Sequence, residues 1–224
     1  MALASGCQPK QPSSRQEGKA DTLRPKLEKL AGHLDSVNNI WVADDTRYSP
    51  DPFSSPESPY ATVSIPGDTA VVGLINRKGE IVVPIRYHQI SLGFAYGLNN
   101  VGIGDKHGLV NEYGQEVVPP VYDYIAMDVE DSLIRIGMND KYGLIDLQGK
   151  VVIPLEYADV KSVGEGMVAV MKEPQRWGIV NLKNERIHPP VFTYTDRFVN
   201  GVVTLQQADG EDYLVYANGT VKKK

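Results

Sequence analysis

Glycine recurs every 35 residues along most of this chain, at Gly73, Gly108, Gly143 and Gly178. Pro84, Pro119, Pro154 and Pro189 lie eleven residues after these, and Tyr87, Tyr122, Tyr157 and Phe192 fourteen after. Six residues after each glycine stand Gly79, Gly114, Gly149 and Asn184, and Gly219 carries the register into a partial fifth unit. A period of this size, held without insertion or deletion, means supersecondary units stacked on one another, in a solenoid or a propeller-like array. One unit cannot bury its own apolar face, so neighbours must cover one another.

Each marker has a physical reason. Asn76, Asn111, Asp146 and Asn181 stand three residues before the second glycine of their units. Asx at the first turn position and glycine at the fourth is the type I turn signature, and in a hairpin that glycine is left-handed. Asn184 replaces it once, and asparagine tolerates that conformation best among the other residues. Every unit is therefore expected to open with a hairpin. The proline is expected to end the second strand, because it has no N–H for the ladder. The aromatic after it is expected to pack between units. A third strand follows, clearest in Met167-Val168-Ala169-Val170 and Val202-Val203-Thr204-Leu205, introduced by Gly166 and Gly201. The same glycine is slipped by one residue at Gly97 and missing from the second repeat. The chain thus reads as all-β, with three short antiparallel strands per unit. Units start near 71, 106, 141 and 176, with a partial fifth near 211.

These residues resemble the WG repeat family of bacterial proteins. The pattern is Trp-Gly, an apolar pair, Asp or Asn, a glycine turn, a β-branched strand reaching Pro, then an aromatic. The fourth unit shows it most fully, with Trp177-Gly178-Ile179-Val180-Asn181, Pro189-Pro190 and Phe192. Elsewhere the tryptophan position holds Val72, His107, Tyr142 and Asp212, and Tyr213 stands where the fifth glycine is expected. That departure marks a terminal, capping unit. The resemblance implies an all-β array and brings no shared catalytic residues.

The repeat domain spans 69–221, behind a leader of 1–21 and a segment of 22–68. In that segment Leu23, Leu27, Leu30 and Leu34 are spaced by four, three and four, which predicts a short N-terminal helix. Asn39-Ile40-Trp41-Val42 reads as a strand with Trp41 as a packing residue, and the proline- and serine-rich stretch 49–67 as an extended connector. At the start, Leu3-Ala4-Ser5-Gly6-Cys7 resembles the lipobox of bacterial lipoproteins, followed by a polar tether. Six residues precede Cys7 and none is charged, short of the charged start and apolar run that a signal needs. A lipid on Cys7 would be the only membrane attachment and would place the chain in the cell envelope. If the likeness is coincidental, the chain is cytoplasmic.

Composition narrows the chemistry. Cys7 is the one cysteine, which excludes an internal disulfide and a cysteine-based zinc site. The net charge is -5, and the repeat region holds 19 Asp/Glu against 13 Lys/Arg, 13 - 19 = -6, unlike the basic face of a nucleic-acid binder. His33, His88, His107 and His188 show no metal-ligand spacing and no nucleophile motif, so no catalytic residue, metal or cofactor is expected. The acidic groups Asp128, Glu130, Asp131 and Asp209, Glu211, Asp212 read as solvated loop tips. Specificity in an array belongs to loop residues that do not repeat. Phe94, Tyr96, Asp128, Glu130, Asp131, Arg176, Trp177 and Arg197 are the candidate contacts. The expected function is a non-enzymatic module with a protein partner, an immunity protein against a secreted toxin being one form. A carbohydrate or peptidoglycan binder using exposed aromatics is the rival, and a hydrolase with an unrecognised acidic site a third reading.

Overall fold

The Asx turn is the local structure from which each unit grows. In the third full unit the Gly149 N–H donates to the Asp146 carbonyl at 3.0 Å, and Asp146 Oδ1 accepts from the N–H groups of Gln148 and Lys150 at 3.0 and 2.9 Å. Asn76, Asn111 and Asn181 hold the same bonds. The residue six after the first glycine is left-handed in every unit, with φ of 74, 71, 79, 61 and 92° at Gly79, Gly114, Gly149, Asn184 and Gly219.

The computed structural model describes residues 26–67, 70–126 and 131–224. A hairpin of β1 (Gly32–Asp35) and β2 (Ile40–Ala43) precedes five antiparallel sheets. The first sheet runs β3 (Ser49–Pro50), β4 (Tyr60–Ile65), β5 (Val71–Asn76), β6 (Ile81–Tyr87). The second holds β7 (Gln89–Ile90), β8 (Leu98–Ile103), β9 (Lys106–Asn111) and β10 (Glu116–Tyr122) in sequential order. The third holds β11 (Tyr124–Ile125), β12 (Leu133–Met138), β13 (Lys141–Asp146) and β14 (Val151–Tyr157). The fourth holds β15 (Asp159–Ser162), β16 (Met167–Glu173), β17 (Arg176–Asn181) and β18 (Arg186–Phe192). The fifth has three strands, β19 (Val202–Gln206), β20 (Asp212–Tyr216) and β21 (Val221–Lys223). The sheets form a row that does not close on itself. The sheet is out of phase with the sequence repeat: the strand read as third in a unit pairs forward, as Met167–Glu173 does with Arg176–Asn181.

The apolar pair after the glycine explains how the row holds together. Neighbours on a strand face opposite sides of the sheet. Leu144 lies in the core shared with the fourth sheet, and Ile145 in the core shared with the second. Leu74 and Ile75, Leu109 and Val110, and Ile179 and Val180 divide in the same way. Each interface thus owns one apolar cluster, and every middle sheet is buried on both faces. The cross-strand partner of the tryptophan position is the repeated aromatic: Val72 with Tyr87, His107 with Tyr122, Tyr142 with Tyr157, Trp177 with Phe192. Those aromatics do reach between units, for the Tyr157 hydroxyl donates to Asn184 Oδ1 at 2.7 Å.

Three expectations change. The proline does not end its strand. Pairing shifts from Leu144–Ile153 to Tyr142–Tyr157, so the strand bulges around Pro154 and continues. A bulge is where a ladder tolerates proline. It also brings the Ile153 carbonyl 2.5 Å from where a Cβ on Gly143 would stand, which is why the first marker must be glycine. The N-terminal helix is absent from the described part of its span. Leu30 N–H donates to Gly79 O at 2.8 Å, Ile81 N–H donates to Glu28 O at 2.7 Å, and Leu34 lies in β1. A helix this short is marginal alone, while extended chain meets the open edge of the first sheet at the start of β6 and buries Leu30 with Trp41 and Phe53. Leu23 lies outside the described residues. The connector 49–67 contains β3 and β4, and β4 pairs along its whole length with β5.

Candidate functional site

Antiparallel order sends alternate connections to opposite edges of the row. One edge carries the Asx turns, together with the loops that lead into β4, β8, β12, β16 and β19. The other carries the turns at 104–105, 139–140 and 174–175. The loops into β8, β12, β16 and β19 end in two-residue turns with positive φ at both positions, the hairpin geometry that suits strand twist. These are Tyr96 and Gly97, Asp131 and Ser132, Glu165 and Gly166, Asn200 and Gly201. The glycine missing from the second repeat is thus Ser132. The slipped phase is shared by Leu98 and Leu133, and the bulge between Met171 and Glu173 takes up the difference.

The structure divides the candidate residues. Phe94, Tyr96, Asp131 and Arg197 sit on the Asx edge. Arg176 and Trp177 sit at the opposite one, where Arg176 Nε lies 3.9 Å from Glu173 across a tight turn. Trp177 is half-buried against the core of the last interface, with Lys161 Nζ 5.8 Å from its ring centroid. Cys7, Asp128 and Glu130 lie outside the described residues. Two candidates are brought together across the sequence: Arg197 Nη2 is 3.4 Å from Asp131 Oδ1, and Asp131 also accepts from the Ser162 hydroxyl. Glu165 Oε2 accepts from the Gly201 N–H at 2.7 Å. These bonds tie loops of three successive sheets along one edge, and an exposed pair of this kind is worth about 0–1 kcal/mol.

A groove of about 420 Å³ opens on the same edge between the first and second sheets. Tyr60, at the start of β4, and Phe94 form its apolar wall, with ring centroids 5.3 Å apart in an edge-to-face arrangement. Leu92 stands beside them, and Asp51 and Glu112 supply its charge. Burial raises the Tyr60 phenol above its ordinary range, and the negative charge of Glu112 adds to the shift. Phe94 was a candidate from the sequence; Asp51, Tyr60, Leu92 and Glu112 were not. The signal for Tyr60 was the alternation Tyr60-Ala61-Thr62-Val63-Ser64-Ile65, which reads as a half-buried strand.

The histidines have structural settings. His88 Nδ1 accepts from the Gly104 N–H at 2.8 Å, and His107 pairs with Tyr122 across the ladder. His188 is buried, which pushes its imidazole below the ordinary value, an effect the Tyr216 backbone partly offsets. Among the described residues no three His, Cys, Asp or Glu side chains are grouped to hold a metal. No described helix is long and apolar enough to cross a membrane.

Among solved structures the chain is similar to two computationally designed proteins. It shares 13% identity with Ika8 over 87% of this chain and 63% of that one, with a TM-score of 0.35. With Ika4 it shares 14% over 62% of this chain and 98% of that one, with a TM-score of 0.32. A eukaryotic initiation factor is similar at 13% identity over 79% of this chain and 54% of that one, with a TM-score of 0.36. The chain thus spans less than two thirds of Ika8 and of the initiation factor. No curated protein matches it. The family described as WG containing repeat matches residues 73–106, 108–142, 142–173 and 177–209, more than half of the 224 residues. Four consecutive copies, in the phase of the marker glycines, mean that the chain belongs to the WG containing repeat family.

Proposed function

We propose that this protein is a non-enzymatic protein-interaction module that engages its partner with the Asx edge of the array. One observation carries the reading. The repeating residues are spent on the interfaces between sheets, whereas the three most exposed large apolar side chains among the described residues of the five sheets belong to non-repeating loops on the Asx edge. Leu92, Tyr96 and Val199 are 68, 62 and 63% exposed. Apolar side chains gathered at a rim of polar loops are the usual composition of a contact surface. The structural settings of the histidines support the non-enzymatic part.

Affinity capture with the full chain as bait tests the reading. One specific protein is expected, lost with the double variant Leu92→Ser/Tyr96→Ser and retained with Arg176→Ser on the opposite edge. A partner that tolerates the double variant, or depends on Arg176, would place recognition elsewhere. The lipid tether at Cys7 belongs to the same proposal and has its own check. The wild type is expected in the detergent phase after cloud-point partition and Cys7→Ser in the aqueous phase. Equal partition of the two would remove the tether.

A further inference from the structure

The groove between the first two sheets has a charge pattern that specifies an occupant more closely than an interaction surface in general. Its wall is aromatic and aliphatic, from Tyr60, Phe94 and Leu92, and its polar rim carries Asp51 and Glu112, with no lysine, arginine or histidine lining it among the described residues. Among the described residues neither carboxylate enters an ion pair. Asp51 accepts the Thr62 hydroxyl, a neutral donor that leaves its charge in place. Arg77 comes near this part of the chain but spends its guanidinium on the Ser55 and Ser58 carbonyls and on Asn39 Oδ1, at 2.7, 2.9 and 2.9 Å. The groove is therefore a negative, apolar-walled slot whose carboxylates have no counter-ion among the described residues.

We propose that it receives an arginine or lysine side chain from an extended segment of the protein partner. The aliphatic stem would lie against Leu92 and the Tyr60–Phe94 pair, and the cationic head would meet Glu112 and Asp51. Arginine suits such a slot best, because its planar, weakly hydrated head both stacks on aromatic faces and bonds carboxylates. This assignment rests on the interaction-module reading and names the chemistry of the partner.

The test is nuclear magnetic resonance of the isotope-labelled full chain, titrated with acetyl-Ser-Leu-Arg-Leu-Arg-Ser-amide and with the same peptide carrying citrulline in place of both arginines. Citrulline keeps the shape and removes the charge. The arginine peptide is expected to shift amides around Tyr60, Leu92, Phe94 and Glu112. Binding should weaken by about two- to fivefold with citrulline, and by a similar factor in Glu112→Gln, as for an exposed charge pair. Equal shifts of the groove amides by both peptides would overturn the cationic occupant and leave edge recognition standing. Shifts from the arginine peptide around Arg176 instead would overturn both. No shift with either peptide would overturn the groove as a cation site, while the capture experiment decides the edge separately.

Discussion

His188 shows how one residue can sit against the grain of its repeat. Its counterparts Val83, Val118 and Ile153 are 0, 2 and 0% exposed, and His188 is 5% exposed in the same place. Its Nε2 finds no hydrogen-bond partner among the described residues. The folded chain therefore holds this proton less tightly than the unfolded chain, whose histidine titrates near the ordinary value of about 6.5. Protons then favour unfolding: this residue costs no proton-linked stability above that pH. Stability falls as pH drops through it and levels off below the depressed folded value. His188→Ile is expected to raise the urea midpoint at pH 7.5, through roughly 1–2 kcal/mol of added unfolding free energy from the unmet polar group alone. The variant should also flatten the fall between pH 7.5 and pH 5.5. An unchanged pH profile would show that His188 is solvated when folded.

At the scale of the element, one phase decides which face of which sheet each apolar residue covers. Leu144 and Leu214 stand at the same point of the 35-residue phase, two periods apart. Leu144 is 3% exposed and packs on the fourth sheet, while Leu214 points to the side of the fifth sheet that no further sheet covers and is half-buried. Leu144→Ala is expected to cost about 2–5 kcal/mol, as in other cores. Leu214→Ala should cost less than about half of that, since the transfer term shrinks with exposure. Chemical denaturation of the two variants reads this directly, and equal losses would mean that something covers the last face. The asymmetry was legible in the sequence, because Tyr213 breaks the glycine pattern where the row ends. The bulge at Pro154 was not, because a proline's missing donor is satisfied equally by ending a strand or by kinking it. Nor does the sequence pattern mark β4 as a member of the repeat. Its connection to β5 spans Pro66 to Ala70, against two residues between β8 and β9, so Tyr60 and Leu98 lie 38 residues apart rather than 35. Half of the groove lies on that out-of-phase strand and the loop before it, so the 35-residue pattern does not point to Tyr60 or Asp51. The helix expected around Leu30 failed for a related reason: leucine spacing reports which residues want burial, and the open edge of the first sheet decided the backbone.

The whole molecule is a one-dimensional row in which each sheet depends on its neighbours and the two described ends differ. The first sheet is covered by the β1–β2 hairpin through Trp41, and the last is left thin, with an exposed final strand. Such rows gain stability as a sum of units and of nearest-neighbour interfaces. The Asx edge is where such a row can vary, because one sheet's loop can be changed without disturbing the next sheet's core. One 35-residue phase builds the fold, and deletion tests this most directly. Removing residues 108–142, one whole period, joins His107 to Gly143 and restores the tryptophan-position–glycine step. This shortened chain is expected to keep its β circular dichroism and to unfold cooperatively in urea, with an m-value lower by roughly a sixth because less surface is exposed on unfolding. A control lacking residues 108–125, half a period, should not fold. If both deletions fold alike, or neither does, the single phase is not what holds the molecule together.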